Sequence, residues 1–240
     1  MNTDYFKLDK NNIDSSVIIE PGAVIGKGNT IGAYTVIRAC VVIGNNNYIA
    51  PHVMIGEPAE YREHPENIYP EKVIIGNKNR ISEFVSIQAG ILTEGTTIGN
   101  ENYIMHGCHI AHDNQIGNRV TLAPLVSLGG KVTVDDFANF GQGVIVHPRL
   151  KIGKGSMLGM NATVTKDIPD WETWAGTPAK FLKMNERGIK KYGKAIVKTD
   201  KDGCQWIASR PFSPEECKHE FQPYDGGQYK RCTKCKAWYE

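Results

Sequence analysis

Residues 19–55 read IEPGAVIGKGNTIGAYTVIRACVVIGNNNYIAPHVMI, with isoleucine at every sixth position. Six residues match neither the 3.6-residue turn of an α-helix nor the 3.5-residue repeat of a coiled coil, but six is a multiple of the two-residue period of a β-strand. Glycine, asparagine and small polar residues separate the isoleucines, and these residues are typical of turns. Each group of six therefore predicts one short strand followed by a turn.

The same spacing continues through most of the chain, in three series with 22 apolar positions in all. These positions are Ile19, Ile25, Ile31, Ile37, Ile43, Ile49 and Ile55; Ile75, Ile81 and Ile87; and Ile98, Ile104, Ile110, Ile116, Leu122, Leu128, Val134, Phe140, Val146, Ile152, Leu158 and Val164. A single coil of such strands cannot bury its own apolar row, so successive coils must stack. The pattern predicts a parallel β-helix over roughly residues 14–169.

Two interruptions break the period. The polar, proline-containing stretch EPAEYREHPENIYPEK separates Ile55 from Ile75, and we predict a loop that leaves the solenoid near a corner of a coil. A smaller irregularity, which includes AGILTEGT, separates Ile87 from Ile98. Insertions between repeats commonly form binding faces, so both are candidates for substrate contact.

Composition narrows the class of protein. The 240 residues carry a net charge of +2, with 40% hydrophobic and 22% charged residues, as in an ordinary soluble protein. The first residues, MNTDYFKLDKNN, do not resemble a signal peptide, and no stretch approaches the ~18 apolar residues of a membrane span. We therefore expect a cytoplasmic protein without a membrane span and without a nucleic-acid partner.

The sequence changes character after the repeat. We predict three parts: a β-helix domain at 1–169, a basic helical segment at 170–199 and a small module at 200–240. The middle segment is rich in lysine, with interleaved apolar residues that suit an amphipathic helix interrupted at Gly188. The last part is rich in aromatic residues and holds four of the six cysteines.

The cysteine spacing in the tail predicts a structural zinc site. Cys217 and His219 form one pair, Cys232 and Cys235 form a second, and 12 residues lie between the two pairs. The second pair has the usual two-residue separation, whereas the first is tighter than usual. Cys204 is a possible substitute ligand. The alternative is a tail with free cysteines.

The stretch YIMHGCHIAHDNQIGNRVTLAPLVSLGGKVTVDDFANFGQGVIVH, residues 103–147, resembles the hexapeptide-repeat acyltransferases. It is most similar to the bacterial UDP-N-acetylglucosamine 3-O-acyltransferases, which open lipid A synthesis. The His-Ile-Ala-His-Asp block at 109–113 is the most specific part of this resemblance, which covers about residues 14–195. The resemblance implies a left-handed parallel β-helix with 18 residues per coil, assembled as a homotrimer with active sites between neighbouring subunits.

The resemblance also implies which residues carry the reaction. His112 matches the general base, Asp113 its acidic partner, and Gly130 the residue whose backbone N–H stabilises the oxyanion. These roles fit acyl transfer from a thioester, which needs a base and an oxyanion donor. Because Ile110 points inward, His112 is predicted at a corner of its coil.

Further residues match positions that contact the donor or acceptor. They are His109, His147, Gln88, Lys131, Met160, Asn185 and Lys191. His109 and His147 are each adjacent to an inward residue, so both are predicted to face outward. Met160 stands where the family closes the end of its acyl groove, and a bulky residue there implies a short or medium acyl chain.

Several of these positions depart from the family pattern. Gln88 and Lys131 each replace a histidine, Pro148 replaces a glutamine and Tyr61 replaces an aspartate of the acceptor loop. The catalytic residues are kept while the surrounding substrate contacts differ. The sequence therefore leaves the identity of the acceptor sugar nucleotide open.

The sequence predicts an acyltransferase that moves an acyl group from acyl carrier protein, or coenzyme A, to a sugar nucleotide such as UDP-N-acetylglucosamine. The alternative is acetyl-CoA-dependent N-acetylation of an amino-sugar nucleotide. Minor alternatives are a trimeric carbonic anhydrase with zinc on His106, His109, His112 or His147, and a solenoid without catalytic activity.

Overall fold

The computed structural model describes residues 10–61, 72–93 and 95–192. Further along it describes only the backbone of the strands between residues 197 and 239. The chain divides into two compact units, Met1–Asn185 and Glu186–Glu240. The first unit contains the repeat and the second contains the helix and the tail strands.

Short parallel strands stack into three sheets in the first unit, as the period predicts. We number the strands in chain order. Sheet 1 contains β1 (Asn12–Ile13), β4 (Thr30–Ile31), β7 (Tyr48–Ile49), β10 (Arg80–Ile81), β13 (Tyr103–Ile104), β16 (Thr121–Leu122), β19 (Asn139–Phe140), β22 (Met157–Leu158), β24 (Glu172–Ala175) and β25 (Lys180–Met184). Sheet 2 contains β2 (Ile18–Ile19), β5 (Val36–Ile37), β8 (Met54–Glu57), β11 (Ser86–Gln88), β14 (His109–Ile110), β17 (Ser127–Leu128), β20 (Ile145–Val146) and β23 (Thr163–Val164). Sheet 3 contains β3 (Val24–Ile25), β6 (Val41–Ile43), β9 (Val73–Ile75), β12 (Thr96–Ile98), β15 (Gln115–Ile116), β18 (Thr133–Val134) and β21 (Lys151–Ile152).

The chain visits the three sheets in turn, so regular coils repeat every 18 residues. Ile110 pairs with Leu128, and Leu128 pairs with Val146. The predicted inward residues are fully buried in the middle coils and form one continuous apolar core. Ile19 is 39% exposed because it lies in the end coil, which is covered on one side only. The predicted parallel β-helix is confirmed.

Each corner of the prism is a tight turn between two sheets. We name the corners 1–2, 2–3 and 3–1 after the sheets that they join. Many corner residues have positive φ, including non-glycine residues such as Asp113 at 60° and Lys131 at 61°. Aspartate and asparagine tolerate this region better than most other residues.

Asparagine side chains stabilise the 3–1 corner. Asn29, Asn47, Asn79 and Asn102 are buried, and the Oδ1 of each accepts the backbone N–H of the corresponding residue in an adjacent coil. Their Nδ2 groups donate to glycine carbonyls, as in the 2.9 Å bond from Asn79 to Gly99. The ladder satisfies buried backbone groups that the strands leave unpaired.

The predicted helix at 170–199 needs correction. Residues Glu172–Ala175 and Lys180–Met184 form the antiparallel pair β24 and β25, which extends sheet 1 at the end of the stack. Helix α1 spans only Glu186–Tyr192 and includes Gly188. The lysine-rich pattern suits an edge strand as well as a helix face, and pairing with β24 decides between them.

The second unit contains α1 and five further strands. These are β26 (Val197–Thr199), β27 (Gln205–Ile207), β28 (Phe221–Pro223), β29 (Lys230–Cys232) and β30 (Trp238–Tyr239). β26 pairs with β27, and β28, β29 and β30 form a separate antiparallel sheet. Within the described residues, no helix is long and apolar enough to cross a membrane.

Candidate active site

Both interruptions of the repeat leave the prism at the 2–3 corner. The first lies between β8 and β9, and the second lies between β11 and β12. The turn from β14 to β15 passes the same corner and contains His112 and Asp113. The predicted corner position of His112 is confirmed, and the two insertions lie on the edge of the prism that carries it.

His112 and Asp113 form a buried pair. Nδ1 of His112 lies 2.7 Å from Oδ2 of Asp113, and the Asp113 side chain has no exposed surface. A carboxylate at Nδ1 favours the tautomer that leaves Nε2 free to accept a proton. The pair has the geometry of a general base and its acidic partner.

The second insertion surrounds the other side of the Asp113 carboxylate. The backbone N–H groups of Ile91, Leu92 and Thr93 donate to it over 2.8–3.3 Å, and the Thr93 hydroxyl donates at 2.7 Å. Burial by itself raises the pKa of Asp113, but the hydrogen bonds from His112, Thr93, Ile91 and Leu92 outweigh it. The pKa therefore lies below its ordinary value, and Asp113 is a carboxylate at neutral pH.

Gly130 occupies the corner position one coil beyond His112. The N–H of Gly129 donates to Val146 and that of Lys131 donates to the carbonyl of His112, whereas the N–H of Gly130 has no partner among the described residues. A Cβ atom at residue 130 would lie 2.5 Å from Nε2 of His112. A free amide and the basic nitrogen of His112 therefore lie on the same small patch of the 2–3 corner.

The two other predicted histidines also face outward, as expected. His109 lies in β14, and its Nδ1 is 2.7 Å from Oγ of Ser86 in the neighbouring strand. His147 is exposed at the 2–3 corner, where its Nδ1 lies 3.2 Å from the carbonyl of Pro148. Both lie in or beside sheet 2, near the His112 patch.

The first insertion contacts His112 through Tyr61. The ring centroids of Tyr61 and His112 are 5.6 Å apart, with a 67° angle between the planes. Gln88 is buried, and its Oε1 accepts the N–H of Glu60 over 3.4 Å, so this side chain supports the segment that carries Tyr61. Arg38 binds Glu57 and Glu20 at the beginning of that segment. The sequence identified Tyr61 and Gln88 as departures from the family, but not these contacts.

The remaining predicted site residues lie elsewhere. Met160 is 73% exposed at the 1–2 corner, across sheet 2 from His112. Asn185 donates its side-chain amide to the carbonyl of Gly155 near the end of the β-helix. Lys191 belongs to α1 in the second unit. Their proposed contacts with substrate stay predictions.

Most of the predicted metal ligands lie outside the residues that the structure describes. Cys217, His219 and Cys235 lie outside the described residues, and of Cys232 only the backbone, in β29, is described. Within the described residues, no cluster of histidine, cysteine and carboxylate side chains suits a metal ion, and His106, His109, His112 and His147 form no such group.

Comparison with known proteins agrees with the fold. Residues 22–57 match the family model of the bacterial transferase hexapeptide. The acyl-[acyl-carrier-protein]–UDP-N-acetylglucosamine O-acyltransferase of Syntrophobacter fumaroxidans is 40% identical over 181 residues, which cover 73% of this chain and 68% of the relative. The corresponding enzyme of Herminiimonas arsenicoxydans is 33% identical over 201 residues, which cover 75% and 76%.

Solved structures of UDP-N-acetylglucosamine acyltransferases have a similar fold. LpxA from Acinetobacter baumannii superimposes with a TM-score of 0.69 at 29% identity and covers 77% of this chain and 79% of its own. UDP-N-acetylglucosamine acyltransferase from Francisella novicida gives 0.56 at 32% identity, with 77% and 70% covered. The left-handed parallel β-helix is confirmed, and O-acyl transfer is favoured over the N-acetylation alternative. This chain belongs to the family of acyl-[acyl-carrier-protein]–UDP-N-acetylglucosamine O-acyltransferases.

Proposed function

We propose that this protein transfers an acyl group from acyl carrier protein to a hydroxyl of UDP-N-acetylglucosamine or a closely related sugar nucleotide. The observation that carries the proposal is the arrangement of His112, Asp113 and Gly130. It combines a buried base whose Nδ1 is held by a carboxylate with a free amide beside Nε2. The named relatives act on these two substrates.

The proposed reaction gives each of the three residues a defined part. Nε2 of His112 takes the proton from the acceptor hydroxyl while the hydroxyl oxygen attacks the thioester carbonyl. Asp113 stabilises the imidazolium that His112 becomes. The carbonyl oxygen becomes an oxyanion and accepts the N–H of Gly130. The attack forms the new C–O bond of the tetrahedral intermediate. Its collapse re-forms the carbonyl and breaks the C–S bond, and the thiol leaves with the proton from His112.

We propose that the active site is completed in a homotrimer. Met160, the residue that we assign to the end of the acyl groove, lies on the 1–2 corner, whereas His112 lies on the 2–3 corner. A second copy that brings its 1–2 corner beside the first copy's 2–3 corner places both residues along one acyl chain. Tyr34, Phe84 and Leu125 also expose apolar surface on the 1–2 corner, which supports its burial by another copy. A head-to-tail contact of this kind closes into a three-membered ring when each copy is rotated by about 120° from the next.

The acceptor contacts are proposed to differ from those of the relatives. Tyr61 packs against His112, and Gln88 supports the segment that carries Tyr61. His109, His147, Lys131, Asn185 and Lys191 remain proposed contacts with the donor or the acceptor. We also propose a cytoplasmic location, because both proposed substrates are soluble cytoplasmic molecules.

A structural zinc site in the tail is a separate proposal. β28 and β29 are antiparallel, with Phe221 opposite Cys232, so the start of β28 lies beside the end of β29. In sequence, Cys217 and His219 come just before β28, and Cys235 comes just after β29. This arrangement supports four-ligand binding. Zinc analysis of the purified protein and of Cys232→Ser tests the site, and equal zinc content in both removes Cys232 as a ligand.

The activity is tested with a matrix of donors and acceptors. Acyl carrier protein and coenzyme A thioesters of increasing chain length are combined with UDP- and dTDP-sugars, and acylated sugar nucleotides are detected by mass spectrometry. The proposal predicts an O-acylated UDP-sugar formed from acyl carrier protein. Absence of product in every combination contradicts it. Mass measurement in solution tests the trimer, which predicts three times the mass of the chain.

A further inference from the structure

The second insertion, residues 89–95, holds the carboxylate that supports the base. Asp113 is completely buried in the turn after β14, and its two oxygens have different partners. Oδ2 accepts Nδ1–H of His112 at 2.7 Å, whereas Oδ1 accepts the Thr93 hydroxyl at 2.7 Å and the Thr93 amide at 2.8 Å. The amides of Ile91 and Leu92 add longer bonds to both oxygens.

The loop approaches Asp113 closely because residue 90 has no side chain. A Cβ atom at Gly90 would lie 2.9 Å from Oδ1 of Asp113 and 2.5 Å from Cα of Gly95. Gly95 has a φ of +118° and closes the loop against Lys72. The loop is therefore shaped around the carboxylate.

We infer that Thr93 is a positioning residue for the base: its hydroxyl fixes Asp113 so that the other carboxylate oxygen holds His112 with Nε2 toward the reacting atoms. The catalytic part of this inference rests on the proposed function. The hydroxyl also shares the negative charge of the carboxylate, so it limits how readily the Asp113–His112 pair takes up a proton.

Two titratable groups of the described residues bear on the pair. On the elements packed against it, Tyr61 contacts the His112 ring and Lys131 occupies the equivalent corner position one coil further on. Glu94, which follows Thr93, lies outside the described residues. The contacts that distinguish Thr93 are its two short bonds to Oδ1.

Thr93→Val tests the inference, because it keeps the shape of the side chain and removes the hydroxyl. The pair then takes up a proton more readily, so the low-pH midpoint of kcat/KM moves upward by roughly one pH unit. We also expect kcat to fall by about tenfold. Thr93→Ser keeps the hydroxyl and the original midpoint. Thr121→Val in sheet 1, the matched change away from the site, leaves both quantities unchanged.

A measurement without substrate separates this inference from the proposed function. The titration of the His112 ring is followed by NMR in the full-length protein, with its signal assigned by its loss in His112→Asn. An upward shift of the midpoint in Thr93→Val and in Gly90→Ala, with none in Thr93→Ser, supports the positioning role even where no acceptor is turned over. An unchanged midpoint in a folded Thr93→Val protein overturns it, whether or not the enzyme is active.

Discussion

Gly130 lies directly beside the ring of His112: a Cβ atom at residue 130 would be 2.5 Å from Nε2 and 2.6 Å from Cε1. The two residues are 18 positions apart and occupy the same corner in adjacent coils. One glycine thus provides both the space for the ring and the free amide next to it. The repeat brings the His112 ring and the Gly130 amide together without any specialised loop.

Gly130→Ala is expected to lower kcat/KM by about 100-fold or more, because the methyl group forces the His112 ring away from its productive position. Gly28→Ala provides the control. Gly28 lies at the 3–1 corner, and the corresponding positions in later coils hold residues with a Cβ atom, namely Asn46, Lys78 and Glu101, so a methyl group fits there. Both variants are compared by steady-state kinetics and by melting temperature. Full activity in a folded Gly130→Ala protein contradicts the proposed placement of the amide and the base.

Asp113 is expected to make stability depend on pH in the acid range. Its pKa in the folded protein lies below the ordinary value of 3.8, so its contribution to stability is present above pH 3.8 and is lost as the pH falls through the folded pKa. Denaturant unfolding of the native protein and Asp113→Asn at equal concentration checks this. Their difference in unfolding free energy should shrink as the pH falls below 3.8. A difference that does not change with pH contradicts the lowered pKa.

The sequence predicted the coils of the β-helix because the six-residue period is a local pattern that recurs 22 times. It also predicted the corner position of His112, since Ile110 fixes which neighbours point inward. It did not predict the partners of Asp113, because Thr93 lies 20 residues away in an irregular loop whose path depends on Gly90 and Gly95.

Two other features could not be predicted from the sequence either. Pairing with β24 turns Lys180–Met184 into a strand, although its lysines also suit a helix. The position of Gln88 predicts a substrate contact, which stays a prediction, whereas its hydrogen bond to Glu60 depends on the path of the preceding insertion. In both cases the observed contact is made with a partner distant in sequence.

Asn79→Ala is expected to destabilise the β-helix by about 2–3 kcal/mol, because it leaves the buried N–H of Asn102 and the carbonyl of Gly99 without partners. The matched control is Asn139→Ala, which removes an exposed asparagine from β19 in sheet 1. Urea unfolding at fixed protein concentration measures the difference. Equal midpoints for the two variants would show that the asparagine ladder contributes little.

Met160→Gly is expected to shift donor preference toward longer acyl chains, since it removes the bulk proposed to close the acyl groove. The native protein should prefer short or medium chains. Turnover of acyl carrier protein thioesters of increasing length gives the preference, and Leu182→Ala supplies an exposed apolar residue outside the proposed groove as a control. A preference of the native enzyme for a 14-carbon chain rules out the short groove.

The central claim is that His112 is the base of an acyl transfer to a sugar nucleotide. The most direct measurement is the rate of acylated UDP-N-acetylglucosamine formation from acyl carrier protein by the native protein, His112→Asn and Thr121→Val. We predict a loss on the order of 100-fold to 10,000-fold for His112→Asn, and native activity for Thr121→Val, which changes a residue of β16 in sheet 1, away from the 2–3 corner. Native activity in a correctly folded His112→Asn protein would contradict the account.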